Sequence, residues 1–71
     1  MTKKDTIPGL VNFRGHRYEH YRSETKMGDA KKTKNMILNK WKHGGTKESA
    51  IIRVWEIKGR LWYCVYSRRT E

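Results

Sequence analysis

Two runs rich in β-branched and aromatic residues, 50–57 and 60–68, are separated only by Lys58-Gly59. A two-residue connection with glycine second is the strongest short-range signature of a β-hairpin. If those two residues form the whole turn, the register follows. Ile57 faces Arg60, Trp55 faces Trp62, Arg53 faces Cys64 and Ile51 faces Tyr66. Side chains alternate across a strand, so the hairpin has two faces of different chemistry. Ile52, Val54, Leu61, Tyr63 and Val65 make an apolar face suited to a core. Ile51, Arg53, Trp55, Ile57, Arg60, Trp62, Tyr66 and Arg68 make the other, where aromatics alternate with arginines. A longer turn would shift every one of these assignments by parity.

Upstream, residues 1–12 lack periodicity and contain the turn pair Pro8-Gly9, so they read as a flexible N-terminal arm. From 13 to about 22, aromatic and polar residues alternate as in a strand. Tyr18 and Tyr21 fall on opposite parities, so either the facing is ambiguous or a bulge intervenes, and Gly15 is a natural place for one. Ser23 and Thr25 offer capping hydroxyls to a helix over 26–42. Met27, Ala30, Ile37, Leu38 and Trp41 recur in it at spacings of three and four, with Thr33 and the Lys34 stem between them. Gly28 weakens its first turn by up to ~1 kcal/mol. His43-Gly44-Gly45 ends it.

The expected fold is therefore α+β: a single two-layer β-α-β-β domain over 13–71, with one helix packed on a three-stranded sheet. The first strand, followed by a helix, would lie parallel to the second through a right-handed crossover. The helix needs the apolar hairpin face, which leaves the arginine and aromatic face uncovered. That is much apolar area to leave wet. Three things would cover it: single-stranded nucleic acid, a second copy of the chain, or the arm folding back with Ile7, Leu10 and Val11.

Charge narrows the partner. The chain has 17 lysines and arginines against 7 acids, a net charge of +10. Such a balance points to anionic partners, nucleic acid first and acidic lipid surfaces second. The helix carries Lys26, Lys31, Lys32, Lys34, Lys40 and Lys42 against Asp29 alone, which is either a phosphate-contacting face or a solvated one. On the sheet, Trp55, Trp62 and Tyr66 suit stacking on bases, while Arg53, Arg60 and Arg68 suit phosphates. Trp55 opposite Trp62 would equally stabilise the hairpin as a cross-strand pair. Single-stranded and duplex binding both remain open.

At 71 residues the core is small, and a domain near this size buries only ~60% of its unfolded surface. Self-association would add stability, so a homodimer is compatible with nucleic-acid binding. The lone Cys64 forms no internal bridge, which favours a reducing compartment. No apolar run approaches ~20 residues, so no transmembrane helix is expected. No apolar run follows Met1-Thr2-Lys3-Lys4-Asp5, so no signal peptide is expected either, and the location is read as cytoplasmic.

From Phe13 onward the chain resembles a loose group of small, basic β-α-β-β proteins from archaea and their mobile elements. Gly15-x-x-Tyr18, Thr25-Lys26-x-x-Asp29-Ala30-Lys31, Gly44-Gly45, Ile51-Ile52 and Trp62-Tyr63-x-Val65-Tyr66-x-Arg68 carry the resemblance. Gly28-Asp29 departs from the serine- and glutamate-type helix start of that group. The resemblance implies the β-α-β-β fold and no particular activity.

No catalytic constellation stands out. His16 and His20, four apart on a strand, are separated by ~13 Å, too far to share one ion. His43 lies at the helix end without a partner of metal-ligand spacing. Cys64, mid-strand among aromatics, reads as a buried thiol without an activating base. Glu19, Glu24, Asp29, Glu48, Glu56 and Glu71 are scattered, and there is no phosphate-cradling glycine loop. No enzyme, cofactor, metal or small-molecule substrate is expected. The reading is a small basic nucleic-acid-binding protein using an arginine and aromatic sheet face and a lysine-rich helix. Its rival is a homodimeric interaction module whose aromatic face is the interface.

Overall fold

A computed structural model describes residues 2–3 and 6–70. In chain order the elements are β1 (Thr2–Lys3), β2 (Leu10–Phe13), β3 (His16–Glu24), α1 (Met27–Leu38), a 3-10 turn (Lys40–His43), β4 (Glu48–Ile57) and β5 (Arg60–Arg69). The β4–β5 hairpin has the register that a two-residue turn dictates, from Glu48 opposite Arg69 to Ile57 opposite Arg60, with Trp55 opposite Trp62. Lys58 and Gly59 both take positive φ, 50° and 79°. That combination matches the right-handed twist of the flanking strands.

The same turn chemistry recurs upstream. Arg14 and Gly15 have φ of 51° and 79° and join β2 to β3, with Phe13 opposite His16. Gly15 is thus a turn residue and not the site of a bulge. The bulge falls at Tyr21, between the pairs His20–Tyr66 and Arg22–Val65. It resolves the parity conflict: Tyr18 points into a core and Tyr21 stays exposed.

The sheet order is β1-β4-β5-β3-β2. The α+β class holds, with one α-helix among the described residues, but the sheet is larger than three strands. Four strands are antiparallel neighbours, and the two-residue β1 extends the sheet parallel to β4. β3 runs in the same direction as β4, as a strand-helix-strand unit requires, yet β5 lies between them and pairs with both. The expected side-by-side parallel pair is therefore replaced by two antiparallel ones.

α1 is shorter than the expected 26–42. Lys26 is extended at its start and no side chain caps it. The expected capping hydroxyl of Ser23 instead meets His20 Nε2 at 2.7 Å and accepts from Cys64 Sγ at 3.4 Å. Asp29 in the first turn complements the helix dipole. Asn39 ends the helix, its backbone N–H and side-chain amide both donating to Asn35 O, at 3.0 and 2.8 Å.

Twelve helical residues span ~18 Å, whereas ten-residue strands span ~33 Å. The helix therefore covers only part of the hairpin. Under it Ala30, Ile37, Ala50 and Val65 form one buried cluster, flanked by Leu38, Ile52 and Tyr63. Past its reach, Leu61 on the same face is 38% exposed.

The opposite face, which the sequence left open, holds a second core. Tyr18, Trp55, Cys64 and Tyr66 are buried there, with Ile7, Val11, Phe13, Ile51, Ile57 and Trp62 packed against them. Tyr66 fixes the closure. Its hydroxyl donates to Pro8 O at 2.6 Å and accepts from Trp55 Nε1 at 3.1 Å. Residues 7–12, expected in a loose arm, are part of the fold: Leu10–Asn12 are strand, and Ile7 and Pro8 cover the aromatics.

Candidate nucleic-acid interface

This closure divides the predicted site. Tyr66 is 0% and Trp55 9% exposed. The base-stacking role expected of them does not fit that burial. Their rings fill a core, and burial holds the Tyr66 phenol above its ordinary pKa. Cys64, on the same face, is fully enclosed, and burial pushes its thiol up as well, which suits a core residue rather than a nucleophile.

The remaining members stay at the surface. Arg60 is exposed, while Arg53, Trp62 and Arg68 are half-buried. Each arginine lies over a ring. Arg60 Cζ is 5.8 Å from the Trp62 centroid, Arg68 Cζ 5.7 Å from Tyr18, and Arg53 Cζ 5.1 Å from Phe13. Arg14 joins from the first turn, 5.2 Å from the same Phe13 ring. A guanidinium over a ring is oriented by cation–π attraction and can present its exposed N–H groups to a phosphate. Arg14 was missed because its turn was missed. Where β2 curls toward β4, Arg53 lines a groove of about 610 Å³ with Val11, Asn12 and Ile52 among its walls.

The lysines form a separate set. Lys31 and Lys32 are exposed on α1 and Lys34 is half-buried. The helix covers the face bearing Ile52 and Val65, and the arginines point to the other. The predicted residues therefore make two surfaces, not one.

At one end of the sheet a second pocket, about 490 Å³, is walled by His16, Arg17, Glu19, Glu48, Ser67, Arg68 and Arg69. Arg68 Nε is buried there without a hydrogen-bond partner, while its Nη1 donates to Arg69 O at 3.5 Å. The Ser49 hydroxyl, 3.2 Å from Tyr18 Oη, holds that phenol below its ordinary pKa, with help from Arg68.

Few of these cations are neutralised. The ion pairs among the described residues are Arg22–Glu24 and Lys40–Glu48, the second at 2.9 Å. The hydrogen bond to Glu48 and its charge push the Lys40 ammonium up.

Two exposed aromatics lie outside the predicted set. Trp41 is 47% and Tyr21 43% exposed. Trp41 was expected in the helix stripe, but α1 ends before it. Lys47 Nζ and Lys42 Nζ sit 5.6 and 5.9 Å from its ring centroid, and Lys40 Nζ sits 6.0 Å from that of Tyr21. The signal in the sequence was Asn39, a residue that readily leaves a helix to bond its own backbone.

Among the described residues no three His, Cys, Asp or Glu side chains are grouped to hold a metal ion. No described helix is long and apolar enough to cross a membrane. Comparison with protein-family models, curated proteins and solved structures returned no match.

Proposed function

We propose that this protein binds nucleic acid, chiefly through its phosphates. One observation carries the reading: a net charge of +10 whose described cations are almost all exposed or half-exposed and unpaired with acids. Such a surface repels itself and gains from a polyanion that releases condensed counterions. Arg14, Arg53, Arg60 and Arg68, ordered on rings, are the preorganised phosphate donors on one side. Lys31, Lys32 and Lys34 supply diffuse charge on the other.

The rival, a homodimer through the aromatic sheet face, loses the area that motivated it. Tyr66 and Trp55 are already covered within one chain. A lipid-surface role is weakened for a similar reason: the apolar stripe of α1 is occupied by the sheet.

The test is a fluorescence-anisotropy titration of a labelled 20-mer, single-stranded and duplex, at several salt concentrations. Six or more phosphate contacts would cost affinity about 10³-fold between about 50 and 200 mM salt. Absence of binding at the lowest salt, or binding indifferent to salt, would overturn the proposal.

A further inference from the structure

We propose that Trp41 is a stacking platform for unpaired bases, with Tyr21 a second exposed ring, so that the preferred ligand is single-stranded nucleic acid. This rests on the nucleic-acid reading above and names the form and the contact.

The argument begins with where the tryptophans are. Trp55 is buried and Trp62 half-buried, but Trp41 is 47% exposed. A continuing α-helix would have carried Trp41 along the stripe of Ala30 and Ile37 into the core. The chain instead leaves the helix at Asn39 and tightens into the 3-10 turn, which carries the ring off that stripe.

The exposure is built and not frayed. Lys42 N donates to Asn39 O at 3.1 Å, Gly44 N to Trp41 O at 3.3 Å and Gly45 N to Lys40 O at 3.1 Å. Gly44 closes the turn with φ of 87°, a conformation that glycine alone adopts without strain. Lys40 then ties the turn to β4 through Glu48 at 2.9 Å.

A second aromatic is exposed by a different device. The bulge at Tyr21 redirects its side chain outward, and Lys40 Nζ lies over its ring at 6.0 Å. Lys40, the chain neighbour of Trp41, thus carries its ammonium to both Glu48 and the Tyr21 ring. Lys42 and Lys47, at 5.9 and 5.6 Å from the Trp41 centroid, add positive charge at its margin.

Exposed rings bordered by ammonium groups match a base and its phosphates. A duplex hides its base faces within its own stack, whereas a single strand offers every base face to an aromatic. The arrangement therefore selects unpaired nucleic acid.

The experiment follows tryptophan fluorescence on adding unlabelled (dT)12 or a 12-base-pair duplex to the whole protein. Wild type, Trp41→Phe, Trp41→Ala and Trp62→Phe are compared, with thermal melts confirming that each folds. Stacking of ~1–3 kcal/mol on one base predicts a loss of (dT)12 affinity of roughly 5- to 150-fold in Trp41→Ala. The slope of log affinity against log salt should stay unchanged, since no phosphate contact is removed. Quenching by (dT)12 should vanish in Trp41→Phe, which keeps a ring to stack, and persist in Trp62→Phe. Wild-type affinity in Trp41→Ala, surviving quenching in Trp41→Phe, or a preference for duplex would each overturn the stacking proposal while leaving phosphate binding intact. Failure of the wild type to bind either oligonucleotide at low salt would overturn the nucleic-acid reading itself, and this inference with it.

Discussion

Tyr66→Phe is the sharpest test of whether the aromatic sheet face is closed. The substitution keeps the ring, so the packing of a residue 0% exposed is preserved. It deletes one oxygen that serves two hydrogen bonds, to Pro8 O at 2.6 Å and from Trp55 Nε1 at 3.1 Å. Each such bond contributes a net ~0.5–1.5 kcal/mol, so their joint loss should cost ~1–3 kcal/mol. A chain of this length has a total stability of only about 4–11 kcal/mol. The midpoint of thermal unfolding should therefore fall by roughly 4–24 °C, at about 4–8 °C per kcal/mol. Urea unfolding followed by far-UV circular dichroism gives the free energy directly. Tyr63→Phe is the control: Tyr63 is half-buried on the helix side and its hydroxyl makes no hydrogen bond among the described residues. It should cost less than about 0.5 kcal/mol. The tryptophans should also become more accessible to acrylamide in Tyr66→Phe, because the clasp over Trp55 is loosened. If Tyr66→Phe were as neutral as the control, the Pro8 clasp would not hold. The face would then be open to a partner, and the dimer reading would return.

Three further outcomes follow. Lys31→Gln with Lys32→Gln should flatten the slope of log affinity for duplex against log salt by ~1.8, at ~0.9 per phosphate, if both contact the backbone; an unchanged slope would mark them as solvated bystanders. Gly44→Ala places a side chain in open space, so its cost is the backbone alone at φ of 87°, about 1–2 kcal/mol, read as a fall in the unfolding midpoint; a neutral result would show that the turn holding Trp41 is not fixed. Burial holds Cys64 and Tyr66 above their ordinary pKa values, and Glu48 does the same for Lys40, so at alkaline pH the folded chain binds more protons than the unfolded one. Stability from these groups is complete below the ordinary thiol range of ~8.5 and declines as pH rises through it, with Tyr18, shifted down, opposing only in the phenol range. Urea midpoints at pH 7 and 9.5 should differ in that direction, and equal midpoints would refute the assignment.

How far the sequence could be read depended on the range of the interaction. Lys58-Gly59 sets the hairpin register through the φ values of two adjacent residues, so the pairing of Trp55 with Trp62 was legible from end to end. Arg14-Gly15 obeys the same rule, but the strand before it is only Leu10–Phe13, and Pro8-Gly9 just upstream reads as a break. A short strand between two turn signals carries too little alternation to announce itself. The clasp between Tyr66 and Pro8 spans a separation of 58 residues, and no local pattern encodes it. The helix end was misplaced by four residues because the stripe continues through Trp41 while Asn39 quietly supplies the stop.

The hairpin face shows why composition alone does not tell which of its side chains packing will bury. One sheet in a small chain has two faces, and each needs cover to bury enough apolar surface for stability. The helix covers one. The N-terminal segment must cover the other, and the aromatics there are consumed by that packing. What such a fold leaves for a ligand is the set of side chains that neither core uses. Those are the arginines stacked on the rim of the second core, the lysines on the outer helix surface, and the two rings that a bulge and a 3-10 turn direct outward. Trp41 is the most telling of them, since a helix one turn longer would have buried it and the hydrogen bonds of the turn hold it out instead.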